Sequence, residues 1–199
     1  MKNRYVNRAK INEAKFRDLV RFFVLDLTAI QIAEITGLNR NTVNRYLTEV
    51  RKKIYRYTML SIPPSLKTIK WEVVEKAHSY CILVKENDTT IIAEIFPAHL
   101  IESGISEQIH AFGFDVLIDT ESGNHTFIGD RNLNKDLQKI KVNRIKSFWS
   151  SAKSRLAKFK GMHSSTFRLH VKECEFRYNN RNEDLYQLLL KILRKDPLF

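Results

Sequence analysis

The sequence of 199 residues predicts an α+β protein, in which a small helical domain precedes a larger domain that combines a sheet with helices. Two observations lead to this prediction. The spacing of apolar residues changes from a helical to a strand period after Pro63-Pro64, and becomes helical again in the last third. Charge divides the chain in the same way, because residues 1–57, 58–130 and 131–172 have net charges of +8, −7 and +11.

Composition narrows the class of protein. Hydrophobic residues make up 43% of the chain and charged residues 28%, as in globular proteins with a core. Met1 leads into polar sequence and no apolar run approaches the ~20 residues of a membrane span, so we expect no secretory signal, no membrane contact and a cytoplasmic, nucleoid-associated location. The two cysteines, Cys81 and Cys174, do not form a metal-binding pattern. The two basic blocks favour double-stranded DNA as the partner.

The first domain is predicted to cover residues 1–57, and it begins with a polar, basic arm of about 12 residues. Three helices follow, with apolar residues on one face and suitable capping residues before the second and third. They are predicted from Lys15 to Leu27, from Ala29 to Thr36 after the cap Thr28, and from Arg40 to Tyr57 after the cap Asn39. Ile62-Pro63-Pro64 then predicts a linker over 58–66.

Residues 31–47 have the spacing of a helix-turn-helix motif. Ala33 is small where two helices approach, Gly37 allows a turn with positive φ, and Leu38 and Val43 are placed to fill the core. The second helix of such a motif enters the major groove by its first turns. The exposed side chains there are expected to read bases, and the basic residues further along to contact phosphates. The first set is Arg40, Asn41, Thr42, Asn44, Arg45 and Thr48, and the second is Lys52, Lys53 and Arg56.

The second domain is predicted to cover residues 67–199. Its first part follows a strand period, with a turn at Asn87-Asp88 and one intervening helix. The predicted strands are 68–74, 79–84, 89–96 and 114–119, with a short strand near 125–128 and a helix over 98–111. Three helices complete the domain. The first of these helices is predicted to stop at Gly161, the second to be capped by Ser164 and the third by Asn182. The first helix has an apolar stripe formed by Ile145, Phe148, Trp149, Ala152, Leu156 and Phe159.

Two blocks of the last third resemble a known group of proteins. The first consists of residues 143–150 with Lys153, Leu156 and the run Lys158-Phe159-Lys160-Gly161. The second is the long run from Lys172 to Leu185, KECEFRYNNRNEDL. Both resemble signatures of DDE-type insertion-sequence transposases of the IS-1595, or ISXO-2-like, group. A subset of that group begins with a helix-turn-helix, as this sequence is predicted to do.

The resemblance implies an RNase H-like domain with a mixed sheet and helices. In such enzymes three carboxylates hold two divalent cations, usually Mg²⁺, which activate the attacking oxygen and stabilise the leaving oxygen. The resemblance also implies that the DNA partner carries terminal inverted repeats and that the protein works as a homodimer or a larger assembly on paired ends.

Compared residue by residue with the motif of the group, this sequence lacks acidic residues at expected positions. Asp119, at the end of a predicted strand, matches the second acid and would be a metal ligand. The first acid falls on Trp71, and Glu72 could replace it only if the strand shifted by one residue, which would turn its side chain to the other face. Lys153 matches the lysine of the motif, but Lys146 stands where the third acid belongs, and it would repel a cation or pair with Asp119.

The remaining basic residues of this helix would line the DNA end. They are Arg144, Lys146, Lys153, Arg155, Lys158 and Lys160. We therefore predict a catalytically degenerate member of the group that binds DNA and needs Mg²⁺ only if strand transfer survives. Two alternatives stay open: an active transposase that uses non-standard acids such as Glu72, Asp119 and either Glu121 or Asp130, and a helix-turn-helix transcriptional regulator.

Overall fold

The computed structural model describes residues 3–60, 80–87, 90–97, 114–120, 124–128, 134–159 and 164–199. Within these ranges, the helices in chain order are α1 (Glu13–Val24), α2 (Ala29–Thr36), α3 (Arg40–Leu60), α4 (Lys135–Leu156), α5 (Ser164–Asn179) and α6 (Leu185–Lys195). The strands are β1 (Tyr80–Asn87), β2 (Thr90–Pro97), β3 (Val116–Asp119) and β4 (His125–Phe127). The chain is thus an α+β protein, as predicted.

The chain divides into two compact units. Unit 1 comprises Met1–Leu60 together with Asn180–Phe199, and unit 2 comprises Ser61–Asn179. The sequence placed all of 67–199 in one domain, whereas helix α6 and the residues after it belong to unit 1. The expected boundary after residue 57 also moves, because α3 continues to Leu60. The predicted linker 58–66 is therefore helical at its start, and its other residues lie outside the described ranges.

The ends of the helices in unit 1 show how far capping rules predict structure. Thr28 caps α2, because its side chain accepts a hydrogen bond from the backbone N–H of Gln31, and the Gln31 side-chain oxygen accepts one from the Thr28 backbone N–H. Gly37 ends α2 with φ +66°, as the predicted turn requires. Helix α1 starts earlier than expected because Asn12 caps it. The predicted cap Asn182 is wrong: the Asp184 carboxylate accepts from the backbone of the first turn of α6.

The core of unit 1 joins α1, α2 and α3 to the end of the chain. Apolar side chains of all these helices are buried, among them Phe16, Leu19, Val20, Phe23, Ile32, Val43, Leu47, Val50, Ile54, Leu189 and Leu193. The polar arm predicted at the start is anchored here, because Tyr5 and Val6 are buried. Asn7 donates its backbone N–H to the Leu198 carbonyl at 2.8 Å, and Leu198 donates to the Tyr5 carbonyl at 2.9 Å.

Unit 2 contains a four-stranded sheet in the order β2-β1-β3-β4. Strands β1 and β2 pair antiparallel from Tyr80↔Pro97 to Asn87↔Thr90, which confirms the predicted hairpin. Strand β3 also pairs antiparallel with β1 and with β4. The expected mixed sheet is therefore not seen among the described strands, which pair only antiparallel. The predicted strand 68–74 and the predicted helix 98–111 lie outside the described ranges.

Helices α4 and α5 pack against the apolar face of this sheet. The predicted stripe of α4 is confirmed, since Ile145, Phe148, Trp149 and Ala152 are buried in one cluster with residues of β1, β2 and β3. Helix α4 begins at Lys135, in a polar stretch where the sequence predicted no element, and Asn134 caps it. The predicted stop at Gly161 lies outside the described residues.

The outer edge of β2 is capped by side chains of α5. The backbone N–H of Ala93 donates to a Glu175 carboxylate oxygen at 2.9 Å. The backbone of Ile91 exchanges two hydrogen bonds with the Asn179 side-chain amide, each 2.8 Å long. Edge strands carry unpaired backbone groups that invite association with other chains, and here α5 satisfies two N–H groups and one carbonyl of the edge.

A network of buried charges lies beside this edge. Lys172 is fully buried, and its Nζ lies 2.5 Å from a Glu94 carboxylate oxygen and 2.8 Å from one of Glu175. Burial raises the pKa of Glu175 despite the nearby lysine. Burial alone would lower the pKa of Lys172, but the carboxylates of Glu175 and Glu94 outweigh it and raise that pKa. Three residues of the second family-like block, Lys172, Glu175 and Asn179, are thus accounted for by packing.

Candidate nucleic-acid interface

The first turns of α3 present a row of polar side chains to solvent. The turn at Gly37 starts α3 at Arg40, and the Asn39 side chain accepts from the Asn41 backbone N–H at 2.8 Å. Val43 and Leu47 are buried on the inner face. The outer face carries four exposed residues, namely Arg40, Asn41, Asn44 and Arg45. Thr42 and Thr48, also predicted to face DNA, are half-buried.

The side chains of this row are available for an external partner. The side chains of Arg40 and Asn44 make no hydrogen bond or ion pair with any residue that the structure describes, and neither does the side-chain amide of Asn41. Arg45 lacks an acidic partner within the described ranges, and its guanidinium lies over the Phe199 ring, 4.2 Å from the ring centroid. Arg and Asn are the side chains that can bond guanine and adenine edges through two hydrogen bonds.

The second half of α3 was expected to present free basic side chains to DNA, but these side chains form ion pairs within the chain. Lys52 is exposed, and it forms an ion pair with Glu49 at 2.7 Å. Lys53 is buried, with its Nζ 2.5 Å from an Asp196 carboxylate oxygen, so its predicted phosphate contact is wrong. The Arg56 guanidinium also lies 3.6 Å from Asp196. The hydrogen bond from Lys53, and to a smaller degree the charges of Lys53 and Arg56, lower the pKa of Asp196.

Helix α4 offers a second basic surface. Lys139, Lys146 and Lys153 are exposed, and their spacing of seven residues places them on one helix face. Neither Lys146 nor Lys153 forms an ion pair within the described part of the chain. Arg144 and Lys158 are exposed as well, whereas Lys160 lies outside the described residues.

Arg155 does not belong to this surface, contrary to the prediction. It is only 9% exposed, and its guanidinium lies 2.5 Å from a carboxylate oxygen of Glu173 on α5. It also donates to the Cys174 sulfur at 3.5 Å and packs over the Phe159 ring. Cys174 is free and buried, and its burial raises the pKa of the thiol. Arg155 therefore joins α4 to α5, and the sequence missed this because the carboxylate comes from another helix.

The predicted catalytic residues do not assemble a metal site within the described ranges. Asp119 ends β3 and is half-buried, and its backbone N–H donates to the Asn124 carbonyl at 3.0 Å. Asp119 does not pair with Lys146, which is exposed and makes no ion pair with a described residue. Trp71 and Glu72 lie outside the described residues. No three His, Cys, Asp or Glu side chains in the described ranges lie close enough to hold a metal ion.

A part of the chain is similar to a curated protein. Over 57 residues the chain is 42% identical to a curated protein of Haemophilus influenzae described as an uncharacterized transposase-like protein. The match covers 29% of this chain and 46% of the relative, so it spans less than half of that protein's length. No protein-family model matches the chain, and no solved structure matches it. The chain is thus similar in part to a transposase-like protein.

The helices of the described ranges show no membrane-spanning segment, because none combines the necessary length with the necessary apolar character.

Proposed function

We propose that this chain is a transposase-type protein that binds double-stranded DNA through α2, the Gly37 turn and α3, used as a helix-turn-helix, and that its strand-transfer chemistry is impaired. The observation that carries the proposal is the row of exposed Arg and Asn side chains on the first turns of α3, which lack polar partners within the described residues. By contrast, Lys53, Arg155 and Lys172 form ion pairs with carboxylates of the chain itself. Basic side chains that are exposed and unpaired are the ones that can form contacts with DNA at little cost.

The two basic surfaces suit different parts of a DNA site. Arg40, Asn41, Asn44 and Arg45 have the chemistry for base edges, while Lys146 and Lys153 on α4 have the chemistry for phosphates. The partial similarity to a transposase-like protein supports terminal inverted repeats as the natural target. Because two ends must be held at once, we expect two copies of the chain on paired ends.

The impaired chemistry follows from the charge at the predicted acid positions. Asp119 brings one negative charge, and Lys146 brings a positive charge where a ligand is needed. Magnesium requires several oxygen ligands in near-octahedral geometry, and an ammonium cannot supply one. We therefore propose that a pair of Mg²⁺ ions does not bind in a productive arrangement and that strand transfer is lost.

The RNase H-like arrangement of unit 2 is part of the same proposal. The succession of hairpin, acid-ended strand and packed helix supports it. An experimental structure that places residues 68–74 as a parallel neighbour in the sheet would support it further, whereas a sheet with antiparallel pairs alone would contradict it.

Two assays test the proposal. In the first, a site selected from a random pool of duplexes is titrated with the full chain, and we expect specific binding that Arg45→Ala weakens by about 1–3 kcal/mol. Absence of binding at low salt would overturn the DNA-binding proposal.

In the second assay, the chain is incubated with Mg²⁺ or Mn²⁺ and the terminal repeats of an element of this group. We expect intact 3′ ends. Cleavage that disappears in Asp119→Ala would show an active transposase with non-standard acids. Specific binding to a promoter duplex, with none to the terminal repeats, would favour a transcriptional regulator instead.

A further inference from the structure

The guanidinium of Arg45 is held against an aromatic ring from a distant part of the chain. Its central carbon lies 4.2 Å from the centroid of the Phe199 ring, well within the ~6 Å range of a cation–π contact. Both side chains are exposed, and Phe199 keeps 45% of its surface accessible. A single exposed aromatic side chain is ordinary on a protein surface, but this one contacts the guanidinium of a proposed base-reading residue.

The Phe199 ring is fixed by the core of unit 1. A series of ring contacts runs from Tyr5 to Phe16, from Phe16 to Tyr46 and from Tyr46 to Phe199, with centroid separations of 5.9, 5.9 and 5.7 Å. The backbone is held as well, because the Asn7 side-chain amide donates to the Phe199 carbonyl at 2.8 Å. The ring is therefore a fixed platform.

Stacking on such a platform leaves the useful atoms of arginine free. The guanidinium is planar, with its five N–H donors directed outward in the plane. A ring under its flat face does not occupy these donors, which are the ones that bond guanine O6 and N7. A side chain already held in one orientation loses less conformational entropy on binding than a freely rotating one.

The surroundings of the pair leave room for a ligand. An open groove of about 880 Å³ borders Arg45 and Phe199, and it is lined on its other side by Asn7, Arg8 and Ile11. Arg8 is exposed and makes no ion pair within the described residues. Arg8 and Arg45 could therefore both contact a phosphate that enters this groove.

We infer that Phe199 is a positioning residue for DNA recognition, which orients the guanidinium of Arg45 for a base edge. This inference rests on the proposed function, because it requires Arg45 to contact DNA. Phe199 itself need not touch the DNA.

The test is a double-mutant cycle on the full chain, with the selected duplex and a scrambled duplex as probes. Phe199→Leu keeps an apolar side chain but removes the π-face, and Phe199→Tyr keeps both. We expect Phe199→Leu to weaken binding to the selected duplex by about two- to fivefold, the size of an exposed cation–π contact. Binding to the scrambled duplex and the salt dependence should not change, and Phe199→Tyr should behave like the wild type.

The Arg45→Ala background separates positioning from a general structural effect. There Phe199→Leu should cause no further loss, because the two residues act through one contact. An equal loss in both backgrounds, or a loss on both duplexes, would overturn the inference while leaving the proposed function intact. If Arg45→Ala itself leaves specific binding unchanged, the proposed role of Arg45 fails and the inference fails with it.

A measurement on the wild-type protein covers the case in which Phe199→Leu does not fold. A ring under the guanidinium should shift the Arg45 side-chain NMR resonances upfield. Unshifted Arg45 resonances in the folded protein would overturn the inference without any variant.

Discussion

Two sets of basic side chains in the described part of this protein differ in their surroundings. Lys53, Arg155 and Lys172 are buried and paired with carboxylates, whereas Arg40 and Lys146 are exposed and make no ion pair within the described residues. A buried charge needs a partner because leaving water costs it several kcal/mol. The net charge of +12 therefore overstates the charge available for DNA.

Lys172 offers a test of the buried network. Changing Lys172 to Met leaves Glu94 and Glu175 facing each other in the interior, so we expect the free energy of unfolding to fall by about 3–5 kcal/mol. Urea unfolding measures the loss. Lys191→Met, which removes an exposed lysine of α6, serves as the matched control and should have little effect.

The same variant should change the dependence of stability on pH. Burial already raises the pKa of Glu175, and loss of the lysine should raise it further. A carboxyl whose pKa is higher in the folded than in the unfolded state is destabilising above that pKa. Stability of Lys172→Met should therefore recover as pH falls from 7 toward 4.5, and a flat profile would argue against a charged Glu94–Glu175 contact.

Asp196 should stabilise unit 1 through its contact with Lys53. Changing Asp196 to Asn leaves a buried ammonium without its carboxylate, and the half-exposed position of Asp196 limits the expected loss to about 1–2 kcal/mol. Because the pKa of Asp196 is lowered in the folded state, the stabilisation is present above pH 3.8 and is lost as pH falls through the lowered pKa.

Thermal unfolding from pH 7 to pH 2 measures this difference. The curves of wild type and Asp196→Asn should converge at the acid end. Glu183→Gln removes an exposed acid that has no ion pair within the described residues, and it should leave the curve unchanged. A difference between wild type and Asp196→Asn that stays constant down to pH 2 would contradict the ion pair.

At the scale of elements, the turn between α2 and α3 depends on glycine. Gly37 has φ +66°, and a Cβ added there would meet no atom within 4 Å, so the cost of a side chain is conformational rather than steric. We expect Gly37→Ala to lower the free energy of unfolding by about 1–2 kcal/mol. Gly37→Asn should cost less, because Asn tolerates this conformation. Urea unfolding of both variants checks the order, and equal losses would indicate a clash instead.

Helices were predicted best where apolar periodicity and a cap coincide. The boundaries of α2 follow from Thr28 and Gly37, and the apolar stripe of α4 follows from its spacing. The start of α4 was missed, because its first residues are polar and exposed and so show no apolar period. The edge contacts of Glu175 and Asn179 were missed as well, since a side chain that caps a distant strand leaves no local pattern.

Contacts between distant segments explain the remaining errors. Lys53 was expected on a DNA-facing surface because its partner, Asp196, lies at the other end of the chain. Arg155 adjoins the predicted apolar stripe, and only the position of α5 shows that it is buried. The row on α3 was predicted correctly as exposed, apart from Thr42 and Thr48, because helical periodicity alone determines which side of α3 faces the core.

For the whole molecule, the salt dependence of DNA binding should reveal whether α4 takes part. If Lys146 and Lys153 each contact a phosphate, changing both to Ala should reduce the slope of log K against log salt by about 2, since each contact contributes about 0.9. Titrations at several salt concentrations measure the slope. Changing Lys191 and Lys195 of α6 to Ala removes the same charge and should alter the slope less, and equal changes would show that net charge alone is responsible.

Unit 1 is built from two segments, with all of unit 2 between them in the sequence. A ribosome adds about 5–20 residues per second, so the first segment waits roughly ten seconds for the second. During that time Lys53 and Tyr46 lack Asp196 and Phe199, the partners that they contact in the folded chain. A nascent chain, or one ended early by a nonsense mutation, has the exposed row of α3 but lacks these contacts. Because the row is then less well held, we expect incomplete translation products to bind the same DNA weakly and to compete little with the full chain.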